Sequence, residues 1–211
     1  MKAPEHDCPF CPRLVEFRRA NHAQSPDWHN GPVQSFGGFD GRLLVVGLAP
    51  GLKGANRTGR PFTGDEAGNL LYPTLLRHGF AEGTFKARAD DGFTLRDCRV
   101  TNAVRCVPPA NRPLPAEIAA CRGFLSDEIA ALPNLCVILA LGGIAHAAVL
   151  AALSVKPRGF AFSHGARYVL PSGLALVDSY HCSRLNTNTG RLTPAMFDAV
   201  VAGLRQSIED F

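Results

Sequence analysis

The sequence predicts an α/β fold: a parallel four-stranded sheet with helices on both faces. Two patterns point to it. Four short segments read as buried strands: Leu43–Gly47 (LLVVG), 99–103 (RVTNA), 135–141 (LCVILAL) and 174–179 (LALVDS). Most are apolar and β-branched, as strands covered on both faces should be. Helical patterns lie between and around them. One spans residues 66–78, after Thr63-Gly64-Asp65. A second, 115–132, opens on a proline and carries apolar residues at helical spacing. A third, 144–153, follows the third strand, and the last, 193–208, has Thr193 as N-cap and Pro194 at its first position. Strands alternating with helices give a parallel sheet, whose ligand crevice lies beyond the carboxyl ends of the strands. The segments there are GLAPG (47–51), TNAVRC (101–106), GGIAH (142–146) and SYHCSRLN (179–186), all Gly-rich or polar.

The 211 residues suit one domain over residues 1–211, with an N-terminal cysteine-containing segment packed on it. With 46% hydrophobic and 19% charged residues, the chain can build a full core. No apolar run approaches the roughly 20 residues of a membrane helix, and the first residues lack a signal-peptide core, so a cytoplasmic protein is expected. The net charge of +4 permits a polyanionic partner. Of the 22 basic residues only Lys2, Lys53, Lys86 and Lys156 are lysines. The rest are arginines, which fork phosphate oxygens.

Seven cysteines, an odd number, argue against a secreted disulfide framework. Cys8 and Cys11 form a CPFC pair; Cys106 and Cys121 bracket a proline-rich segment. Four thiolates suit zinc or a [4Fe–4S] cluster, and spacing alone does not choose. Such a site would pin the N-terminus and the proline loop to the sheet. Cys98 and Cys136 read as core packing, while Cys182, beside His181, stays ambiguous.

Residues 47–68, GLAPGLKGANRTGRPFTGDEAG, match neither a Walker A loop nor GxGxxG. Their glycines permit close backbone approach, and Arg57 and Arg60 suit phosphates. Phe62 is either a stacking platform for a base or a loop anchor in the core. Asp65 is either a catalytic carboxylate or the cap of the helix that follows. In SYHCSRLNTNTGRLTP, residues 179–194, His181 follows a strand end and faces the crevice, ahead of the polar Ser183, Arg184, Asn186 and Asn188.

The order CPxC, GLAPG with RTGRPFTGD, TNAVRC with VPP, a later cysteine, then HCSRLNTNTGRLTP closely resembles the family 5 uracil-DNA glycosylases, from Cys8 to Pro194. The resemblance implies a three-layer α/β/α fold with a mostly parallel sheet, and a [4Fe–4S] cluster on Cys8, Cys11, Cys106 and Cys121. It also implies excision of uracil, with other deaminated bases such as hypoxanthine tolerated. By motif position Asp65 and His181 look like the catalytic pair, Phe62 like the residue that stacks on the extruded base, and Asn102 like the reader of its edge. Leu48 and Ala49 of GLAPG join them as base-binding residues. They occupy positions where better-known glycosylase families carry Asp, Asn or Glu, an absence typical of family 5. Lys53 stands where a histidine is common.

The expected partner is DNA containing uracil or another deaminated base, bound by a monomer through Arg57, Arg60, Ser183, Arg184, Leu185 and Asn186. A base must leave the stack before its glycosidic bond can be cut, and Leu185 is a candidate wedge for the hole it leaves. The alternative is a non-catalytic nucleic-acid-binding module with a four-cysteine zinc site. His181, Asp65 and Asn102 separate the two readings, since binding alone does not require them. A nucleotide hydrolase would need a phosphate-binding lysine motif and paired metal-binding carboxylates, neither of which is present.

Overall fold

The computed structural model describes residues 3–209. Its elements run α1 (Pro12–Gln24), β1 (Leu43–Gly47), α2 (Ala55–Thr58), α3 (Glu66–Arg77), β2 (Ala81–Glu82), β3 (Thr94–Leu95), β4 (Cys98–Asn102), α4 (Pro115–Ala130), β5 (Val137–Leu141), α5 (Gly143–Ala152), β6 (Arg167–Val169), β7 (Ala175–Ser179), α6 (Arg184–Asn188) and α7 (Pro194–Glu209). The main sheet has the order β4-β1-β5-β7-β6. β1 pairs in parallel with β4 and β5, and β5 with β7. β6 pairs antiparallel with β7.

The four expected strands form the parallel part, and the sheet has a fifth. β6 escaped the sequence reading because it is a three-residue edge strand whose side chains are mostly exposed, so it carries no apolar run. α1 escaped it for a related reason. Its buried positions include Arg18 and Asn21 beside Leu14, which erases the apolar stripe. α2 and α6 are one-turn helices inside stretches read as loops.

Alternation along the strands builds two cores. Leu43, Val45, Val137, Leu139, Leu141, Ala175 and Val177 face one side, against Leu71 and Leu75 of α3 and Phe197, Val201 and Leu204 of α7. Leu44, Val46, Ile138, Ala140 and Leu176 face the other, against Leu125 and Ile129 of α4 and Ala145, Ala148 and Val149 of α5. This is a three-layer α/β/α arrangement. Its connections leave β1 toward β4 on one side and return to β5 on the other, so the crevice opens at the carboxyl end of β1.

One side of the sheet is also held by charge. Glu128 of α4 is fully buried and accepts from Arg99 Nε of β4 at 2.7 Å and from Arg105 Nη2. Burial opposes the charge, but Arg105 and Arg99 outweigh it and hold the carboxyl below its usual range. Removing one partner leaves two guanidinium groups buried without a counter-charge. Glu128→Ala should cost about 3–5 kcal/mol of stability, read as a lowered midpoint in denaturant unfolding. A loss well under about 1 kcal/mol would mean that water already reaches the cluster.

Candidate active site

A cavity of about 620 Å³ opens at the carboxyl ends of the strands, lined by Leu48, Ala49 and Gly51 after β1, Asp65 to Ala67 at the start of α3, Asn111 after β4, and His181 with Ser183 to Asn186 after β7. It therefore gathers both expected catalytic residues, the GLAPG segment and the expected wedge. Phe62 and Asn102 lie behind that lining, buried where β1 and β4 end. A Cβ on Gly47 would stand 2.4 Å from Phe62 Cζ and 2.5 Å from Asn102 Oδ1, so only glycine lets these two groups close over the end of β1. Asn102 Oδ1 is buried and has no hydrogen-bond partner. An unpaired buried acceptor is costly and marks a position that a ligand donor can satisfy.

Asp65 caps α3: its Oδ1 accepts from Gly68 N–H at 3.3 Å. Its Oδ2 packs beside the GLKG turn, where a Cβ on Gly54 would come within 2.4 Å. Asp65 thus both caps the helix and lines the cavity, with Oδ2 beside Gly51 and Gly54. Burial raises the Asp65 carboxyl above its ordinary value, against the lowering effect of the Gly68 and Ala67 amides. His181 is half-buried, with its ring centroid 6.0 Å from that of Phe62. Burial pushes its imidazole down to about 4, so it is neutral at pH 7 and keeps one ring N–H able to donate a hydrogen bond.

Residues expected to touch DNA divide by environment. Arg57, Arg184 and Leu185 are exposed, Leu185 at 73%. Ser183 and Asn186 line the cavity and also build its wall. Ser183 caps α6 by accepting from Asn186 N–H at 3.5 Å, and Asn186 Nδ2 donates to the His181 carbonyl at 2.8 Å. Arg60 is the correction. It is buried, forks the Asp91 carboxylate at 2.8 and 2.9 Å, donates to Thr63 Oγ1 at 2.8 Å, and lies within 6 Å of the ring centroids of Phe36, Tyr72, Phe85 and Phe93. Its hydrogen-bonding edge is spent inside the protein, so it cannot be the phosphate contact its motif suggested. The sequence reading also missed Asn111. Its signal was an asparagine at the tip of the proline loop, where Ala110 and Asn111 both adopt positive φ.

Cys8, Cys11, Cys106 and Cys121 line a second cavity, beneath α1. Burial first, and then the neighbouring thiols, push Cys11 up to about 11 and Cys106 up to about 12. A bound cation reverses that cost by holding the sulfurs as thiolates. Arg18 is buried on the same cavity, has no carboxylate partner among the described residues, and donates to the Cys8 carbonyl at 2.7 Å. Four thiols around a space bordered by a guanidinium fit an anionic thiolate–metal assembly. Among the described residues, no group of three or more His, Cys, Asp or Glu stands in a metal-holding arrangement.

Residues 34–205 match the family model of the uracil DNA glycosylase superfamily. A type-5 uracil-DNA glycosylase of Thermus thermophilus is 46% identical over 197 residues, which cover 90% of this chain and 89% of the relative. One from Mycobacterium leprae is 43% identical, with 92% and 88% covered. One from Pyrobaculum aerophilum is 40% identical, with 89% and 83% covered. With its cavity walled by the motifs these comparisons span, the chain belongs to the uracil DNA glycosylase superfamily, among the type-5 members.

Proposed function

We propose that this protein excises uracil from DNA by hydrolysing the N-glycosidic bond, leaving an abasic site. The observation that carries this reading is a single cavity holding a neutral imidazole donor and a carboxylate, backed by a buried, unpaired amide acceptor. Breaking the bond leaves electrons on the base and positive charge on the sugar. His181 donates to the base oxygen where charge develops, and as a neutral group it carries no extra proton to lose. Asp65, anchored through Oδ1, turns its other oxygen to the sugar cation and to the attacking water. Asn102 pairs with the edge of the base through its free Oδ1 and its amide, and Phe62 supports the ring. Leu48 and Ala49 bound the base, and Leu185 fills the vacated stack. Arg57 and Arg184 contact phosphates, with Ser183 and Asn186 placing the loop against the backbone. Hypoxanthine is the second substrate we propose, as the resemblance of the motifs implies. The enzyme acts as a monomer on DNA.

We assign the four cysteines to a [4Fe–4S] cluster. The four thiols lining one cavity support it, and Arg18 on the same cavity offsets its negative charge. The cluster supplies structural cross-linking, holding α1 against the segment between Cys106 and Cys121.

On uracil-containing duplex the product should be alkali-labile but not nicked. His181→Ala and Asp65→Asn should each lower the single-turnover rate by on the order of 10²–10³ while DNA binding is largely kept. The acid limb of the rate profile should follow Asp65, active as the carboxylate and lost as pH falls through its raised value. No inflection should appear at the ordinary histidine value of 6.5, because His181 is held near 4. An inflection at 6.5 that vanishes in His181→Asn would show instead that the imidazole titrates freely. Leu185→Ala should weaken excision from duplex more than from single strands, which have no stack to fill; equal losses would reduce Leu185 to packing. Protein purified without oxygen should contain iron and acid-labile sulfide. Stoichiometric zinc without sulfide would replace the cluster with a zinc site.

A further inference from the structure

Many of the arginines on this chain are spent on carboxylates, among them Arg13, Arg42, Arg60, Arg77, Arg88, Arg96, Arg99, Arg105 and Arg205. Arg191 is different. It is exposed, has no salt-bridge partner among the described residues, and yet is held in place. Its guanidinium lies 4.6 Å from the centroid of the Tyr180 ring. The ring of His164 stacks with that of Tyr180 at 4.9 Å and 15°. His164 Nδ1 in turn accepts from the backbone N–H of Tyr180 at 3.2 Å, which fixes the tautomer with Nδ1 unprotonated. Burial holds this imidazole below its ordinary value, so only one member of the stack carries charge at neutral pH.

The backbone around Arg191 is anchored as well. Gly190 N–H donates to the Thr187 carbonyl at 3.2 Å, Leu192 N–H donates to the Asn186 carbonyl at 3.1 Å, and the Leu192 side chain is fully buried. Tyr180 directly precedes His181 in the chain, so the stack holds a cation on the same segment that carries the catalytic imidazole. On the other motif Arg57, also exposed and without a salt-bridge partner among the described residues, reaches Gly64 next to Asp65: a Cβ there would stand 2.9 Å from Arg57 Nη2. The two motifs that carry the catalytic groups thus each hold an exposed arginine with no salt-bridge partner among the described residues.

Resting on the reading of DNA as substrate, we propose that Arg191 is a phosphate contact for the strand carrying the flipped nucleotide, pre-positioned by the Tyr180–His164 stack. An ordered guanidinium loses little freedom when it takes a phosphate, and aromatic stacking leaves its N–H edge open to do so. Arg191 does not touch the reacting atoms; its contact is to the backbone and adds to binding of the strand.

The test is the salt dependence of binding to duplex carrying a non-hydrolysable deoxyuridine analogue, paired with single-turnover excision of uracil at saturating enzyme. Arg191→Ala should reduce the slope of log K against log salt by about 0.9, the release of one phosphate's counterion. Its saturated excision rate should stay within about two-fold of the parent, since no transition-state interaction is removed. Arg191→Lys should keep the slope, because the charge remains. An unchanged slope in Arg191→Ala overturns the proposal. So does an unchanged slope with a large fall in the saturated rate, which would make Arg191 a prop for His181. A parent protein that binds the duplex but leaves uracil in place would defeat the glycosylase reading without touching this one, since the slope would still be measurable.

Discussion

Between β1 and α3 the chain must leave the sheet, form the crevice wall and return as a helix, and a buried guanidinium fixes that path. Arg60 is clamped from one side by the Asp91 carboxylate and surrounded by four aromatic rings. Arg60 pulls Asp91 well below the ordinary carboxylate range, so the pair stays charged wherever the enzyme works. Losing either partner strands a charge in an aromatic core, a cost of about 3–5 kcal/mol that no surface loop could tolerate. Tyr72 adds a donor to the Pro61 carbonyl, and Thr58 one to that of Thr63. With residues 60, 61 and 63 held, Phe62 has little choice: it adopts a φ of 51°, a region a bulky residue enters only under constraint. That strained turn puts its ring over Gly47 and delivers Asp65 to the start of α3.

The same constraint sets one carboxylate both at a helix cap and in the cavity wall. A capping aspartate ordinarily spends its charge on the helix N-terminus, which lowers its basicity. Here burial prevails over the two amides, and the Asp65 carboxyl is raised rather than lowered. Across the cavity burial acts in the opposite sense on His181, because it penalises charge whatever its sign. A single physical cause, removal of water from the wall, thus moves the carboxylate toward basicity and the imidazole toward neutrality. That separation suits a reaction in which positive charge grows on the sugar and negative charge on the base.

The parallel strands were legible because fully buried strands are written as apolar runs, and each carboxyl end was marked by Gly-rich or polar residues. Thr193 was legible as a cap, and its Oγ1 accepts from Met196 N–H at 3.2 Å. β6 was not, since a three-residue edge strand has neither run nor alternation. Arg60 was misread for a reason of range. The motif shows an arginine among glycines, but its partner Asp91 is 31 residues away and its aromatic enclosure draws on three separate segments. Asn111 was passed over because its loop had already been accounted for by the cysteines at its ends. What local pattern cannot supply is which polar groups tertiary packing has already satisfied.

That double use of the segment from Cys106 to Cys121 ties the second cavity to the first. Arg105, next to Cys106, is locked on Glu128, and its backbone N–H donates to Cys121 Sγ at 3.5 Å. Glu117, one turn before Cys121, caps the start of α4 by accepting from Leu114 N–H at 2.7 Å and forks Arg13 of α1 at 2.8 Å. The tip between these anchors carries Asn111 into the wall of the reaction cavity. Both Ala110 and Asn111 adopt positive φ there, a tight turn at the tip of the segment. The cysteine site is thus joined to the wall of the cavity through this segment and to one face of the sheet through Ile118, which packs against both clusters.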